Sequence, residues 1–154
     1  MNLIYVGDAM CSWCYGFAQP LDALLADPQD AAPLRLSLVM GGLRPFTTDA
    51  IAPERADELA GHWHRVAEAS GQPFAQTPHT ALHLPGFVYD TEPAARATVT
   101  VRSLFPQHVW RYFKAVQHAF YAGLGACPSS RLQRTCAPQP PACPSRCHPT
   151  RQRR

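Results

Sequence analysis

The sequence predicts a mixed α/β chain, and three observations carry that prediction. Leu3-Ile4-Tyr5-Val6 is a short apolar run of the kind that forms a buried strand. A helix-forming stretch, Phe17 to Ala26, follows. Leu34-Arg35-Leu36-Ser37-Leu38-Val39-Met40 alternates at first and then turns fully apolar, which reads as a second strand. Strand, helix and strand in that order predict a parallel pair with a right-handed crossover.

Gly7-Asp8-Ala9-Met10 breaks the first strand, and Cys11-Ser12-Trp13-Cys14 follows at once. Both cysteines therefore fall at a strand-to-helix turn, in the first helical turn. Unpaired N–H groups and the positive dipole end at a helix start favour an anion, and a thiolate is one. Cys11, nearer the N-terminus, is expected to ionise below the ordinary thiol value of about 8.5. Cys14, one turn on, is placed to attack a mixed disulfide formed at Cys11. Trp13 shapes the approach to the pair and is a candidate substrate contact. Asp8, three residues before Cys11, is open to three roles: helix cap, proton relay to Cys14, or simple turn residue. A nearby carboxylate would also raise a thiol's pKa.

A Cys-x-x-Cys pair is equally half of a zinc site, but that needs a second ligand pair. No further cysteine occurs between Tyr15 and Leu124. His62 and His64 are two apart on a predicted helix and share no face. His79 and His83 are bracketed by Pro78 and Pro85 with no third ligand in sight. The strand-then-helix context favours redox chemistry, with no metal and no organic cofactor.

Beyond Gly41-Gly42, Thr48 or Asp49 is a candidate cap for a helix that Pro53 and Glu54 open and that runs to about Ser70. Gly71-Gln72-Pro73 stops it. Leu59, Trp63, Val66 and Ala67 repeat at helical spacing and are expected in the core. Residues 74–89 form a connector without periodicity. Thr91, Glu92 and Pro93 start another helix, which Ala94 to Leu104 continues despite the poor helix formers Val99 and Thr100. After Pro106, Val109, Trp110, Tyr112, Phe113, Val116 and Phe120 make a wide apolar face over about Gln107 to Tyr121. Arg44 is a candidate contact for an acidic group of a substrate.

The segment Val6-Gly7-Asp8-Ala9-Met10-Cys11-Ser12-Trp13-Cys14-Tyr15-Gly16-Phe17 resembles the active-site segment of the DsbA-like thioredoxin-fold proteins. It is most similar to the cytosolic FrnE-like group, a neighbour of the 2-hydroxychromene-2-carboxylate isomerases. Leu38-Val39-Met40-Gly41-Gly42-Leu43-Arg44-Pro45, Phe74 and Phe87-Val88-Tyr89-Asp90-Thr91-Glu92-Pro93-Ala94 agree with it in the same order. The resemblance implies a thioredoxin fold with a helical insertion and thiol–disulfide exchange through Cys11 and Cys14. The implied partners are protein or small-molecule thiols and disulfides. It keeps a glutathione-dependent isomerase open, although those isomerases generally carry a serine at the first motif position. An inactive fragment or a non-enzymatic binding module is the rival from another class.

Composition divides the chain. All eleven acidic residues and eight of the fourteen basic ones precede residue 125, a balance of −3; residues 125–154 hold six arginines and no acid. The overall +3 is thus no sign of a specific nucleic-acid partner. No run reaches the roughly 18 apolar residues of a membrane span. No signal peptide precedes the first strand, so a cytoplasmic location is expected. There a Cys-x-x-Cys pair is redox-active more often than structural. The oligomeric state is left open.

Residues 1–124 are therefore expected to form a partial DsbA-like domain with a helical insertion, and 125–154 a disordered Pro-, Arg- and Cys-rich tail. Cys127, Cys136, Cys143 and Cys147 fit no defensible zinc spacing, even with His148 beside them. The resemblance implies two antiparallel strands and a final helix after the insertion, with a cis-proline beside the disulfide. None is recognisable in the tail. The chain reads as an incomplete fold followed by unrelated residues, as if the reading frame had changed near Leu124. An incomplete sheet would leave an open edge, with reduced stability and weak activity. Translating the coding DNA in the other frames after codon 124 should restore a strand–strand–helix sequence; an in-frame gene without one would end this expectation.

Overall fold

The computed structural model describes residues 1–26, 34–76 and 80–123. The tail, its four cysteines and His79 lie outside them. Strand β1 (Asn2–Gly7) pairs in parallel with β2 (Arg35–Met40), in register from Asn2 opposite Arg35 to Gly7 opposite Met40. This is the parallel pair the strand–helix–strand order predicts.

The strands are not buried on both faces, as uniform apolarity suggested. Leu38 is 2% exposed, whereas Ile4 is 68%, Val6 62% and Val39 41% exposed. All the packing is on the Tyr5–Leu38 side, where Ala9, Val109, Phe113 and Val116 gather around Leu38. No described element covers the other side. At the outer edge of β2, the Arg102 guanidinium donates to the Leu38 carbonyl at 2.7 Å. The far edge of β1 has no strand partner among the described residues.

The first helix differs from expectation. It begins at Ser12, with the cysteines in its first turn as expected, but it breaks: α1 is Ser12–Gly16 and α2 is Ala18–Leu25. Pro20 explains the break. It has no N–H for the Gly16 carbonyl, so the ladder is interrupted where it would otherwise run on. Asp22 docks α2 onto the C-terminal helix, accepting from Trp110 Nε1 at 2.7 Å and Lys114 Nζ at 2.5 Å.

Helix α3 (Pro53–Ser70) starts with Ala52 at the cap position and Pro53 in the first turn. Thr48 and Asp49 lie too far upstream to cap it, because the fixed φ of proline sets the start. Trp63 and Val66 are fully buried, while Leu59 and Ala67 pack at the margin. The connector is not inert. It contains a short 3₁₀ turn (Ala81–His83), and Val88 bridges to Ala50. Phe74, Leu82 and Tyr89 from it enter the core.

Helix α4 (Glu92–Leu104) forms despite its β-branched residues; the Thr98, Thr100 and Ser103 hydroxyls donate back to carbonyls four residues earlier. A 3₁₀ turn (Pro106–His108) leads into α5 (Val109–Tyr121). Trp63, Phe74, Phe120 and Tyr121 form an aromatic core against which Tyr15 stacks, 5.1 Å from Tyr121.

Gln117 on α5 is fully buried, and neither amide atom has a hydrogen-bond partner among the described residues. An unpaired buried amide destabilises a fold by about 1–3 kcal/mol. Gln117→Met, nearly the same shape without the polar atoms, should raise the stability of the full chain by about 1 kcal/mol in chemical denaturation.

Candidate active site

The site is built at the turn between β1 and α1. Asp8, only 4% exposed, accepts the Met10 N–H at Oδ1 (2.8 Å) and the Leu43 N–H at Oδ2 (2.9 Å). Its carbonyl accepts the Cys11 N–H at 3.2 Å. The Tyr89 hydroxyl donates to the Met10 carbonyl at 2.5 Å. Of the three roles open to Asp8, the helix cap is not seen; its carboxylate holds two backbone N–H groups, as a turn residue does.

Cys11 occupies the cap position of α1 with extended backbone, φ −97° and ψ 118°. Cys14 lies one turn on. Both thiols are unbonded and half-exposed. Behind them, α1 is anchored on the far end of α3. The Tyr15 hydroxyl donates to the Pro73 carbonyl at 3.0 Å, and Gln72 Nε2 donates to the Tyr15 carbonyl at 3.1 Å. Gly16 permits this approach, since a Cβ there would stand 3.0 Å from Val66 Cγ1.

The two thiols influence each other's ionisation. The Cys11 thiol donating to Cys14 is the main reason Cys14 is pulled down to about 6. Burial opposes that shift, and the Asp8 backbone and the Tyr5 hydroxyl support it. Cys11 is pushed well up, first by the same hydrogen bond and then by burial. The backbone N–H groups of Cys14 and Trp13 do pull Cys11 down, as a helix start should. They are outweighed. The expected lowering at Cys11 is not found: Cys11 is pushed up, and the lowering falls on Cys14, the other sulfur of the pair. Such a pair loses its first proton below an ordinary thiol and its second above it.

Tyr5 was not singled out from the sequence. Its ring packs among Phe17, Trp110 and Phe113, with centroids 6.0–6.4 Å away. Its hydroxyl donates to Cys14, and burial foremost pushes its own pKa up, keeping the proton in place. Gly7 is the legible signal: a Cβ there would lie 2.9 Å from Tyr5 Cε1.

Trp13 is 52% exposed and meets His62 edge-on at 6.1 Å. The half-buried Arg44 places its guanidinium 5.2 Å from the Tyr89 ring centroid, on the residue that holds Met10. The structure thus brings Arg44 to the rim of the Cys11 turn. His64 points elsewhere, to Glu68 at 3.3 Å. His83 bridges Thr80 (2.6 Å) and Asp57 (3.0 Å), tying the connector to α3. Among the described residues no three His, Cys, Asp or Glu side chains cluster as a metal site would require.

No protein-family profile matches the chain, and no curated protein matches it significantly. Solved structures do. One, described as a "putative protein disulfide isomerase" from Nitrosomonas europaea, is 32% identical with a TM-score of 0.67. The match covers 89% of this chain and 70% of that one. The cytosolic disulfide reductase DsbM from Pseudomonas aeruginosa, solved with glutathione, is 24% identical with a TM-score of 0.67; 89% of this chain and 65% of that one are covered. A second DsbM structure is 22% identical, TM-score 0.65, over 89% and 71% of the two chains.

Tyr5→Phe keeps the ring and removes the hydroxyl. It should raise the midpoint at which the reduced pair becomes reactive to iodoacetamide by about one pH unit, the worth of one hydrogen bond to a charged group. An unchanged midpoint would exclude the contact.

Proposed function

Because the chain belongs to the same family as the Nitrosomonas disulfide-isomerase-like protein, we propose that it is a thiol–disulfide oxidoreductase of the DsbA-like class working through Cys11 and Cys14. The observation that carries this reading is the placement of two free, part-exposed cysteines one turn apart at the head of α1, where Cys14 is pulled down to about 6 by its partner. A thiolate, not a thiol, attacks a disulfide.

In the proposed cycle, the proton shifts from Cys11 toward Cys14, and the Cys11 thiolate attacks one sulfur of a substrate disulfide. A Cys11–substrate S–S bond forms. The substrate S–S bond breaks, and the departing thiolate takes a proton. Cys14, deprotonated again, then attacks Cys11. The Cys11–Cys14 bond forms, and the second substrate thiolate leaves and is protonated. The substrate has gained two electrons and two protons; the pair has supplied both electrons and its one proton, and solvent the second proton. Two equivalents of a small thiol reverse the change at the protein. Run backwards, the same steps oxidise a substrate dithiol.

Arg44 and Trp13 are the substrate contacts in this reading. The exposed indole flanks the sulfurs, and the guanidinium offers a carboxylate a two-pronged partner. Glutathione, the ligand solved with DsbM, carries carboxylates and is a candidate small thiol. The proposed location is the cytosol, where such a pair is kept available as thiols; no described helix is long and apolar enough to cross a membrane.

Insulin reduction by the full chain with glutathione as electron source tests the reading. Cys11→Ser should abolish turnover. Cys14→Ser should trap a Cys11 mixed disulfide, seen as added mass that dithiothreitol removes. Equal turnover by wild type and Cys11→Ser would exclude the assignment.

A further inference from the structure

The loop after β2 is built more rigidly than a connector requires. Asp8 holds the Leu43 N–H at 2.9 Å. Thr91 holds both sides of Arg44: its Oγ1 accepts the Arg44 N–H at 3.0 Å, and its N–H donates to the Arg44 carbonyl at 3.0 Å. Asp90 Oδ1 holds the Phe46 N–H at 2.9 Å. What this frame presents is apolar and charged. Leu43 is 51% exposed and Phe46 is 77% exposed.

Phe46 also has φ 61°, the left-handed region that a bulky residue occupies only against strain. The strain is not offset by burial, because the ring is in solvent. Beside it, the Arg44 guanidinium lies over Tyr89, and no carboxylate among the described residues pairs with it. The loop is continuous with the thiol site: the same Asp8 carboxylate holds Leu43 and Met10, next to Cys11.

We propose that Leu43, Arg44 and Phe46 form a docking platform for the polypeptide that carries the substrate disulfide, the apolar side chains taking an apolar residue of the partner and Arg44 taking an acidic one. This deepens the oxidoreductase reading and rests on it. The preferred substrate is then a protein segment with an acidic and an apolar residue near its cysteine. The held backbone loses little freedom on binding, and an exposed aromatic ring beside an arginine is the usual composition of an interface anchor. A small neutral disulfide reaches the sulfurs but is too short to span the platform.

The test uses the full chain and three disulfides. Two are ten-residue peptides differing only in Glu or Lys beside the cysteine, each with a leucine, joined to a chromogenic thiol. The third is hydroxyethyl disulfide. Wild type should favour the Glu peptide over the Lys peptide in kcat/KM by about tenfold, the size of one good anchor contact. Arg44→Glu should invert that preference. Phe46→Gly should lower the ratio of peptide to hydroxyethyl disulfide kcat/KM by about tenfold. It should also melt no lower than wild type, since glycine adopts this φ without strain.

Equal use of the two peptides overturns the proposal. So does a Phe46→Gly ratio equal to wild type, or a lower melt, which would mean that the ring supports the fold. A wild-type chain inert to all three disulfides would remove the oxidoreductase reading and the platform with it.

Discussion

One carboxylate at the end of β1 fixes the geometry on which everything else rests. Burying Asp8 costs free energy, and the two backbone N–H groups it accepts offset that cost. In return, three segments far apart in the chain acquire fixed positions: the Cys11 turn, the loop beyond β2 and, through Tyr89 and Thr91, the start of α4. The same charge opposes the Cys14 thiolate. The site therefore accepts an electrostatic penalty for mechanical definition, and the hydrogen bonds from the Cys11 thiol and the Tyr5 hydroxyl make up the difference.

Much of this was legible in the amino-acid order, for physical reasons. A strand followed by a Cys-x-x-Cys and a helical stretch can put the sulfurs in few places, so the parallel pair and the helix-head cysteines follow directly. Trp63 and Val66 declared themselves by helical spacing. Phe74, Leu82 and Tyr89 did not, because a 3₁₀ turn and irregular backbone bury residues without any period. Tyr5 was hidden for a different reason. Within Leu3-Ile4-Tyr5-Val6 it is one more core-type residue, and only the missing side chain at Gly7 shows that its ring folds back toward the sulfurs.

Three expectations failed instructively. The thiolate was assigned to Cys11 from the helix start alone. The backbone effect is present, yet a second sulfur within hydrogen-bonding reach outweighs it. The unbroken helix from the cysteines to Ala26 overlooked Pro20, whose absent N–H matters three residues into α2. The apolar strands promised burial on both sides, but composition alone cannot say which elements arrive to cover a face.

The uneven support of β1 reaches the chemistry. Six paired positions on a single ladder hold it to β2, and Gly7, the last of them, runs straight into Asp8 and the cysteine turn. Loosening of the strand would therefore be felt first where the sulfurs are aligned, before the aromatic core around Trp63 yields. Warming should blur the spacing of the two sulfurs while far-ultraviolet ellipticity, dominated by α3, α4 and α5, is still intact.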